Sequence, residues 1–166
     1  MHNITALFKT TGLRWLWLAV LMFVFDQATK YLVISNMQLY QSIEILPLLN
    51  FTYVQNPGAA FSFLADQGGW QRWFFSIIAF VVSALILYWL RTSKQSDVML
   101  PVAFCLVLSG ALGNLVDRLA YGYVIDFIDV FYGQWHWPAF NIADSAIFVG
   151  AAIIIIDALR NNGTEE

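Results

Sequence analysis

Three aspartates lie beside apolar segments, where a loop that needs only solubility would not place them. Asp126 and Asp129 occur in the segment Val-Ile-Asp-Phe-Ile-Asp-Val, and Asp144 precedes an apolar run that continues to Ile156. The alternative for Asp126 and Asp129 is a turn that carries two solvated acids. The alternative for Asp144 is a charge in the first turn of a helix, which the helix dipole favours. Ionisable groups at a membrane boundary are costly and usually functional. The sequence therefore favours a chemical role for Asp126 and Asp144.

The chemistry open to such a pair is water activation. Asp126 and Asp144 flank consecutive apolar segments and should approach the same membrane surface. Two carboxylates brought close together cannot both ionise, so one keeps a proton and the other acts as a base. Such a pair can hydrolyse an amide without a metal or a covalent intermediate. Covalent routes find less support, because Cys105 lies mid-span, Ser145 has no evident Lys or His partner, and His136 is a lone loop histidine.

Further polar residues lie near these aspartates. Asn114, Asp117 and Arg118 are spaced i, i+3 and i+4, so they share one helix face. Either Asp117 and Arg118 form a pair that caps the helix at the interface, or Arg118 and Asn114 support the site. Asn141 and Asp144 are also i, i+3 on one face.

The first apolar segment contains its own charged pair. Asp26 and Lys30 are spaced i, i+4, which suits an ion pair. We interpret this pair as structural, either bracing helices or anchoring the outer connection. In the third segment, Gly110 and Gly113 belong to a small-residue face that permits close helix contact.

The overall composition indicates a membrane protein. Of 166 residues, 60% are hydrophobic and 11% are charged. Soluble domains average about 45–50% apolar residues and about 25% charged residues. The net charge of -3 does not indicate the basic surface that nucleic-acid binding needs. One cysteine allows neither a disulfide framework nor a zinc cluster, so no metal or other cofactor is expected. The length suits a single integral membrane domain over 1–166.

Four segments are long and apolar enough to cross a bilayer as helices. The first could instead be a cleaved signal peptide, but no clear small-x-small cleavage site follows it. We therefore predict an all-α membrane protein, a bundle of four transmembrane helices with a small strand-rich outer element. The predicted spans are approximately 13–33, 73–90, 98–119 and 140–159.

The distribution of Lys and Arg predicts the orientation. Five of these residues fall on the side of the N-terminus and three on the other side, which places both termini in the cytoplasm. Residues 34–72 and 120–139 are then outside. The alternation from Ile43 to Tyr53 predicts strands, and a short helix is possible from Ala65 to Trp73. The aromatic residues of 120–139 suit an interfacial loop.

Five motifs in order resemble the lipoprotein signal peptidases (signal peptidase II), bacterial membrane aspartyl proteases, over about Leu13 to Ile156. The resemblance implies that Asp126 and Asp144 are the catalytic pair and that Asp26 is structural. The supporting polar residues map onto Asn56, Asn114, Arg118 and Asn141. The motifs are Asp26-Gln27-x-x-Lys30, Asn56-Pro57-Gly58-Ala59-Ala60-Phe61, Gly113-Asn114-Leu115-Val116-Asp117-Arg118, Val124-x-Asp126-Phe127 and Phe140-Asn141-x-Ala143-Asp144.

The resemblance also implies a substrate and a place. The substrate would be a prolipoprotein whose cysteine carries a diacylglyceryl group, cleaved just before that cysteine at the outer face of the bacterial inner membrane. Globomycin-type inhibitors are implied as ligands. We expect Gly110 and Gly113 to leave room between helices for the signal peptide. Two rivals are a proton-coupled transporter, disfavoured by the lack of inverted repeats, and a non-catalytic assembly subunit, which would not explain converging aspartates.

Overall fold

Four long apolar helices dominate the computed structural model, which describes residues 8–58 and 69–162. Each is long and apolar enough to cross a membrane, since about 20 residues at 1.5 Å per residue span the roughly 30 Å hydrocarbon core. This confirms the predicted four-helix class. The helices are α1 (Leu16–Asn36, after a 3₁₀ turn at Gly12–Trp15), α2 (Trp70–Thr92), α3 (Met99–Ala120) and α4 (Ile142–Asn162).

Helix α3 lies at the centre of the bundle, and the other three helices pack on it. A Cβ at Gly110 would collide with the backbone carbonyl of Ala143 on α4. At Gly113 it would lie 2.5 Å from the Asp26 Oδ2 atom on α1. These glycines therefore permit close helix packing, as expected from their size. The expectation that they leave room for a substrate was wrong, because α1 and α4 fill that space.

A four-stranded antiparallel sheet lies at one end of the bundle, as the predicted strand-rich element requires. The strand order is β1-β2-β3-β4. Residues 120–139, expected to be an interfacial loop, instead supply half of this sheet. This segment forms a strand because it pairs with residues 49–56, with Val54 opposite Asp126 and Asn56 opposite Val124. The strands are β1 (Ser42–Leu46), β2 (Leu49–Asn56), β3 (Val124–Tyr132) and β4 (Trp135–His136).

The sheet rests on the helix ends through a small apolar cluster. Val33 from α1 packs with Tyr53 of β2 and with Ile125 and Phe127 of β3. Helices α1 and α3 end on this side, while α2 and α4 begin there. Of the short helix predicted over 65–73, residues 65–68 lie outside the described ranges and the rest, from Trp70, belongs to α2. That 1–166 forms one domain stays a prediction.

The connection between α2 and α3, residues 93–98, lies at the opposite end of the bundle from the sheet. Reporter fusions at residue 95 and residue 133 should therefore report opposite compartments, with residue 95 in the cytoplasm. A fusion at residue 38, between α1 and β1, is the matched control and should agree with the fusion at residue 133. The same compartment for residues 95 and 133 would overturn this topology.

Candidate active site

Asp126 lies on β3 and is 1% exposed. Its Oδ1 accepts a hydrogen bond of 2.7 Å from Asn141 Nδ2, and its Oδ2 accepts one of 2.9 Å from Asn56 Nδ2. Burial and the nearby charge of Asp144 raise the pKa of Asp126 to about 7, against the opposing effect of these amide donors. Asp126 is therefore suited to hold a proton near neutral pH.

Asp144 lies in the first turn of α4 and is only partly buried. Its Oδ1 accepts a hydrogen bond of 2.7 Å from Asn114 Nδ2, and its Oδ2 accepts one of 3.2 Å from the backbone N–H of Asn141. In return, the Asp144 N–H donates to Asn141 Oδ1 at 2.9 Å. This reciprocal pattern is a capping box, in which Asn141 caps α4 and Asp144 satisfies the cap residue's own N–H.

Two amide side chains connect the aspartates. Asn141 Nδ2, which donates to Asp126, also lies 3.2 Å from Asn114 Oδ1. Asn114 in turn donates to Asp144 through its own Nδ2. Lys30 Nζ donates to Asn114 Oδ1 at 3.0 Å, which fixes the amide with its NH₂ towards Asp144. The structure thus brings Asp126 and Asp144 together, along with the predicted supporting residues Asn114 and Asn141.

The Lys30 ammonium is buried between two carboxylates. It lies 2.9 Å from Asp26 Oδ2 and 2.9 Å from Asp117 Oδ2, with all three side chains at most 2% exposed. The predicted Asp26–Lys30 ion pair is therefore confirmed. Pairing of Asp117 with Arg118 was the wrong alternative, because Asp117 points across the bundle to α1. Asp117 Oδ2 also accepts from the Ile125 N–H at 3.2 Å, and Asp26 Oδ1 from the Ala143 N–H at 2.9 Å.

Arg118 supplies a cation on the α2 side of the site. Its Nη1 donates to the backbone carbonyl of Asn114 at 3.3 Å, and its guanidinium lies 5.2 Å from the centroid of the Phe75 ring. The charges of Asp144 and Asp126 act on it. Its Nε is buried and has no hydrogen-bond partner among the described residues. Arg118 thus retains donor capacity beside both carboxylates.

Asn56 brings the end of β2 to the site. Its Nδ2 binds Asp126, while its Oδ1 accepts a hydrogen bond of 2.9 Å from the Gly58 N–H, which closes a local turn. Gly58 has a φ of 113°, and a Cβ there would lie 3.0 Å from the Phe75 ring. The Asn-Pro-Gly sequence therefore supplies both an amide donor and the backbone conformation that aims it.

A second polar network, which sequence reasoning missed, occupies β3 beyond the site. Asp129 is 6% exposed. It accepts a hydrogen bond of 2.8 Å from Thr52 Oγ1, and its other oxygen lies 2.7 Å from His136 Nδ1. Burial raises the pKa of Asp129, but the bonds from His136 and Thr52 outweigh it and hold that pKa below its usual range. The alternative of two solvated acids in a turn was wrong. The available signal for this strand was the high β-propensity of the Val, Ile and Phe residues around the two acids.

The other candidate nucleophiles lie where chemistry is not favoured. Cys105 is 0% exposed in the helix core, and Ser145 Oγ donates to the Asn141 backbone carbonyl at 2.9 Å. His136 pairs with Asp129 rather than with Ser145 or Cys105. Among residues 8–58 and 69–160, no three His, Cys, Asp or Glu side chains are placed to hold a metal ion.

Replacing Lys30 should destabilise the protein strongly. Lys30→Met leaves Asp26 and Asp117 buried without their cation, which typically costs about 3–5 kcal/mol of unfolding free energy. Lys94→Met removes an exposed ammonium and should change stability by less than about 0.5 kcal/mol. Thermal unfolding of the purified variants in detergent compares them. Equal unfolding temperatures for the two variants would show that the buried ion cluster is not a structural support.

Comparison with known proteins agrees with this geometry. The family model described as signal peptidase (SPase) II matches residues 18–160. The chain is 63% identical over 155 residues to a lipoprotein signal peptidase of Alteromonas mediterranea, covering 93% of this chain and 85% of the relative. It is 54% identical over 158 residues to one of Shewanella oneidensis, covering 95% and 93%.

Solved structures show the same fold. One bacterial membrane enzyme, determined by the in meso method at 2.3 Å, superposes with a TM-score of 0.84 at 35% identity, over 95% of both chains. Another, at 1.9 Å, gives 0.79 at 37% identity, over 91% of this chain and 96% of that one. The chain therefore belongs to the signal peptidase II family and is a multi-pass membrane peptidase of the aspartic type, which removes signal peptides from prolipoproteins.

Proposed function

We propose that Asp126 and Asp144 form the catalytic pair that activates water for peptide hydrolysis. The observation that carries this proposal is their connection through Asn141 and Asn114, with burial and the Asp144 charge raising the pKa of Asp126 to about 7. Asp126 then enters the reaction protonated, and the partly exposed Asp144 enters it as the base.

The reaction then follows from these protonation states. Asp144 takes a proton from water as the water oxygen attacks the scissile carbonyl carbon. Asp126 donates its proton to the carbonyl oxygen, giving a neutral tetrahedral intermediate. When this intermediate collapses, the C–N bond breaks and the proton held by Asp144 passes to the departing amine. One hydroxyl of the intermediate returns its proton to Asp126 as it becomes the carbonyl of the new carboxyl group. Both residues therefore recover their starting states, and no metal or covalent intermediate is needed.

The remaining residues hold this pair in position. Asn56 and Asn141 fix Asp126 through its two oxygens, and Asn114 fixes Asp144. Arg118, with a buried Nε that has no partner among the described residues, is suited to bind a substrate carbonyl beside the pair. The role of Asp26 and Lys30 is structural. No cofactor enters this proposal.

The substrate proposed for this site is a prolipoprotein with a diacylglyceryl-modified cysteine, cut just before that cysteine. The aspartates lie where the sheet meets the helix ends, which suits a bond at the membrane boundary. With both termini cytoplasmic, this boundary is the outer face of the bacterial inner membrane. Globomycin-type inhibitors, implied by the family, are expected to occupy the same site.

Substitution of either aspartate should abolish measurable cleavage. Asp126→Asn removes the acid and Asp144→Asn removes the base, and general acid–base catalysis usually contributes about 10²–10⁴-fold. Asp129→Asn is the matched control on the same strand and should have a milder effect, because Asp129 binds Thr52 and His136 rather than the pair. Cleavage of a lipidated precursor by purified variants measures this. Activity near wild type in Asp126→Asn or Asp144→Asn would refute the mechanism.

A precursor without the diacylglyceryl group should be a very poor substrate. Lipid already surrounds the unbound precursor, so the acyl chains mainly fix the depth of the scissile bond at Asp126 and Asp144. A misplacement of about 1 Å can cost about 10²-fold in rate. A precursor with Ser in place of its lipidated cysteine should therefore be cleaved about 100-fold more slowly by the purified enzyme in detergent. Equal rates would show that the enzyme does not recognise the lipid.

A further inference from the structure

A concave site lies at the end of the bundle opposite the aspartates. It is a cavity of about 340 Å³ lined by Trp89, Thr92 and Ser93 at the end of α2, Phe104 of α3 and Ile154 of α4. The Trp89 and Phe104 rings stack with centroids 5.4 Å apart and planes 30° apart. Two stacked rings give this cavity a stiff apolar wall.

The helices that line this cavity also line the proposed catalytic site. At the sheet end, Phe75 of α2 lies under Arg118 of α3, and Asp144 opens α4. Helices α2 and α4 each pack closely on α3 but hardly contact each other among the described residues. The space between them along α3, here called the trough, can therefore take a further helix. Asp144 and Ile154 mark its two ends on α4.

The length of this trough matches one part of a signal peptide. Asp144 and Ile154 are ten residues apart on α4, which corresponds to ~15 Å of helix. Phe75 and Trp89 are fourteen residues apart on α2, which corresponds to ~21 Å. A substrate helix lying along the trough would need about 10–14 residues to reach the cavity, and the apolar region of a signal peptide has about 7–15.

We propose that this cavity binds the N-terminal end of the apolar helix of the signal peptide while the catalytic pair holds its other end. The inference rests on the proposed function, because it takes the substrate to be a signal peptide cut at Asp126 and Asp144. Its N-terminal end lies on the cytoplasmic side, and so does the cavity in the orientation given above. The enzyme then reads the length of the apolar region as well as the cleavage site.

The polar edge of the cavity supports this occupant over lipid. The first N–H groups of any helix lack intrahelical partners and need acceptors from outside the helix. Thr92 and Ser93 donate their own hydroxyl hydrogens to the Trp89 carbonyl of α2. Their oxygens keep lone pairs, so they can accept hydrogen bonds from a helix start. An acyl chain has no donor to satisfy them.

Packing rather than the hydrophobic effect would supply the binding energy. A signal peptide leaves lipid to enter the trough, so its apolar surface gains little from desolvation and the gain comes from van der Waals contact. The stacked Trp89 and Phe104 rings present a fixed surface for such contact. A larger side chain in the cavity should therefore weaken binding of a substrate that reaches it.

The test uses two diacylglyceryl-modified precursors in detergent. One has a complete signal peptide, and the other keeps about eight residues before the cysteine, too few to reach the cavity at 1.5 Å per residue. Ile154→Trp fills the cavity and should raise KM for the complete precursor about tenfold, equivalent to ~1.4 kcal/mol of binding, with kcat unchanged. KM for the short precursor should not change. Ile155→Trp, at a neighbouring position that is 60% exposed towards lipid, is the matched control and should leave both values unchanged.

Other outcomes have defined meanings. An unchanged KM, or an equal rise with both precursors, would overturn the inference. If the wild-type protein cleaves neither precursor, the proposed function itself fails.

A second measurement covers the case in which the short precursor is not cleaved at all. A photo-crosslinking residue at position 154, in an Asp126→Asn background that retains substrate, should label the N-terminal half of the apolar region of the complete precursor. Labelling of lipid alone, or of the segment next to the cysteine, would contradict the proposal.

Discussion

The arrangement of the whole site depends on one buried ammonium group. Lys30 binds Asp26 on its own helix and Asp117 on α3, each at 2.9 Å. The free oxygen of Asp26 accepts the Ala143 N–H of α4, and Asp117 accepts the Ile125 N–H of β3. Removing one member of such a buried cluster leaves an uncompensated charge, which the interior penalises heavily. The cluster therefore holds helices α1, α3 and α4 and strand β3 in a single relative position.

This fixed position explains why two aspartates with the same side chain can act differently. Asp126 is enclosed between the sheet and α4, where burial favours its protonated form. Asp144 lies at the start of α4, partly open, and Asn114 donates to it because Lys30 already occupies the oxygen of that amide. Lys30 thus helps to orient the Asn114 amide, which in turn donates to Asp144, the proposed base. Asn141 donates to the same Asn114 oxygen, so both donors hold the Asn114 NH₂ towards Asp144.

The sequence predicts what local spacing can express. Hydropathy locates four helices, and the i, i+4 spacing identifies the Asp26–Lys30 pair, because both depend on residues close along the chain. The partner of Asp117 could not be predicted in this way, since its cation lies on another helix while Arg118, its neighbour in sequence, points elsewhere. The strand at 124–132 was missed for the same reason. Its pairing partner, β2, lies about 70 residues earlier.

The strand matters because its geometry separates the two acids that the sequence places together. Successive side chains on a strand point to opposite faces, so Asp126 and Asp129, three residues apart, face different ways. Asp126 meets Asn141 and Asn56, whereas Asp129 meets Thr52 and His136 across the sheet. In a loop, either acid could reach the helix ends and compete for the same amides. Strand β3 is fixed by its pairing with β2 and by the hydrogen bond from the Ile125 N–H to Asp117. Of the two acids, Asp126 is therefore the one that reaches the amides of Asn141 and Asn56.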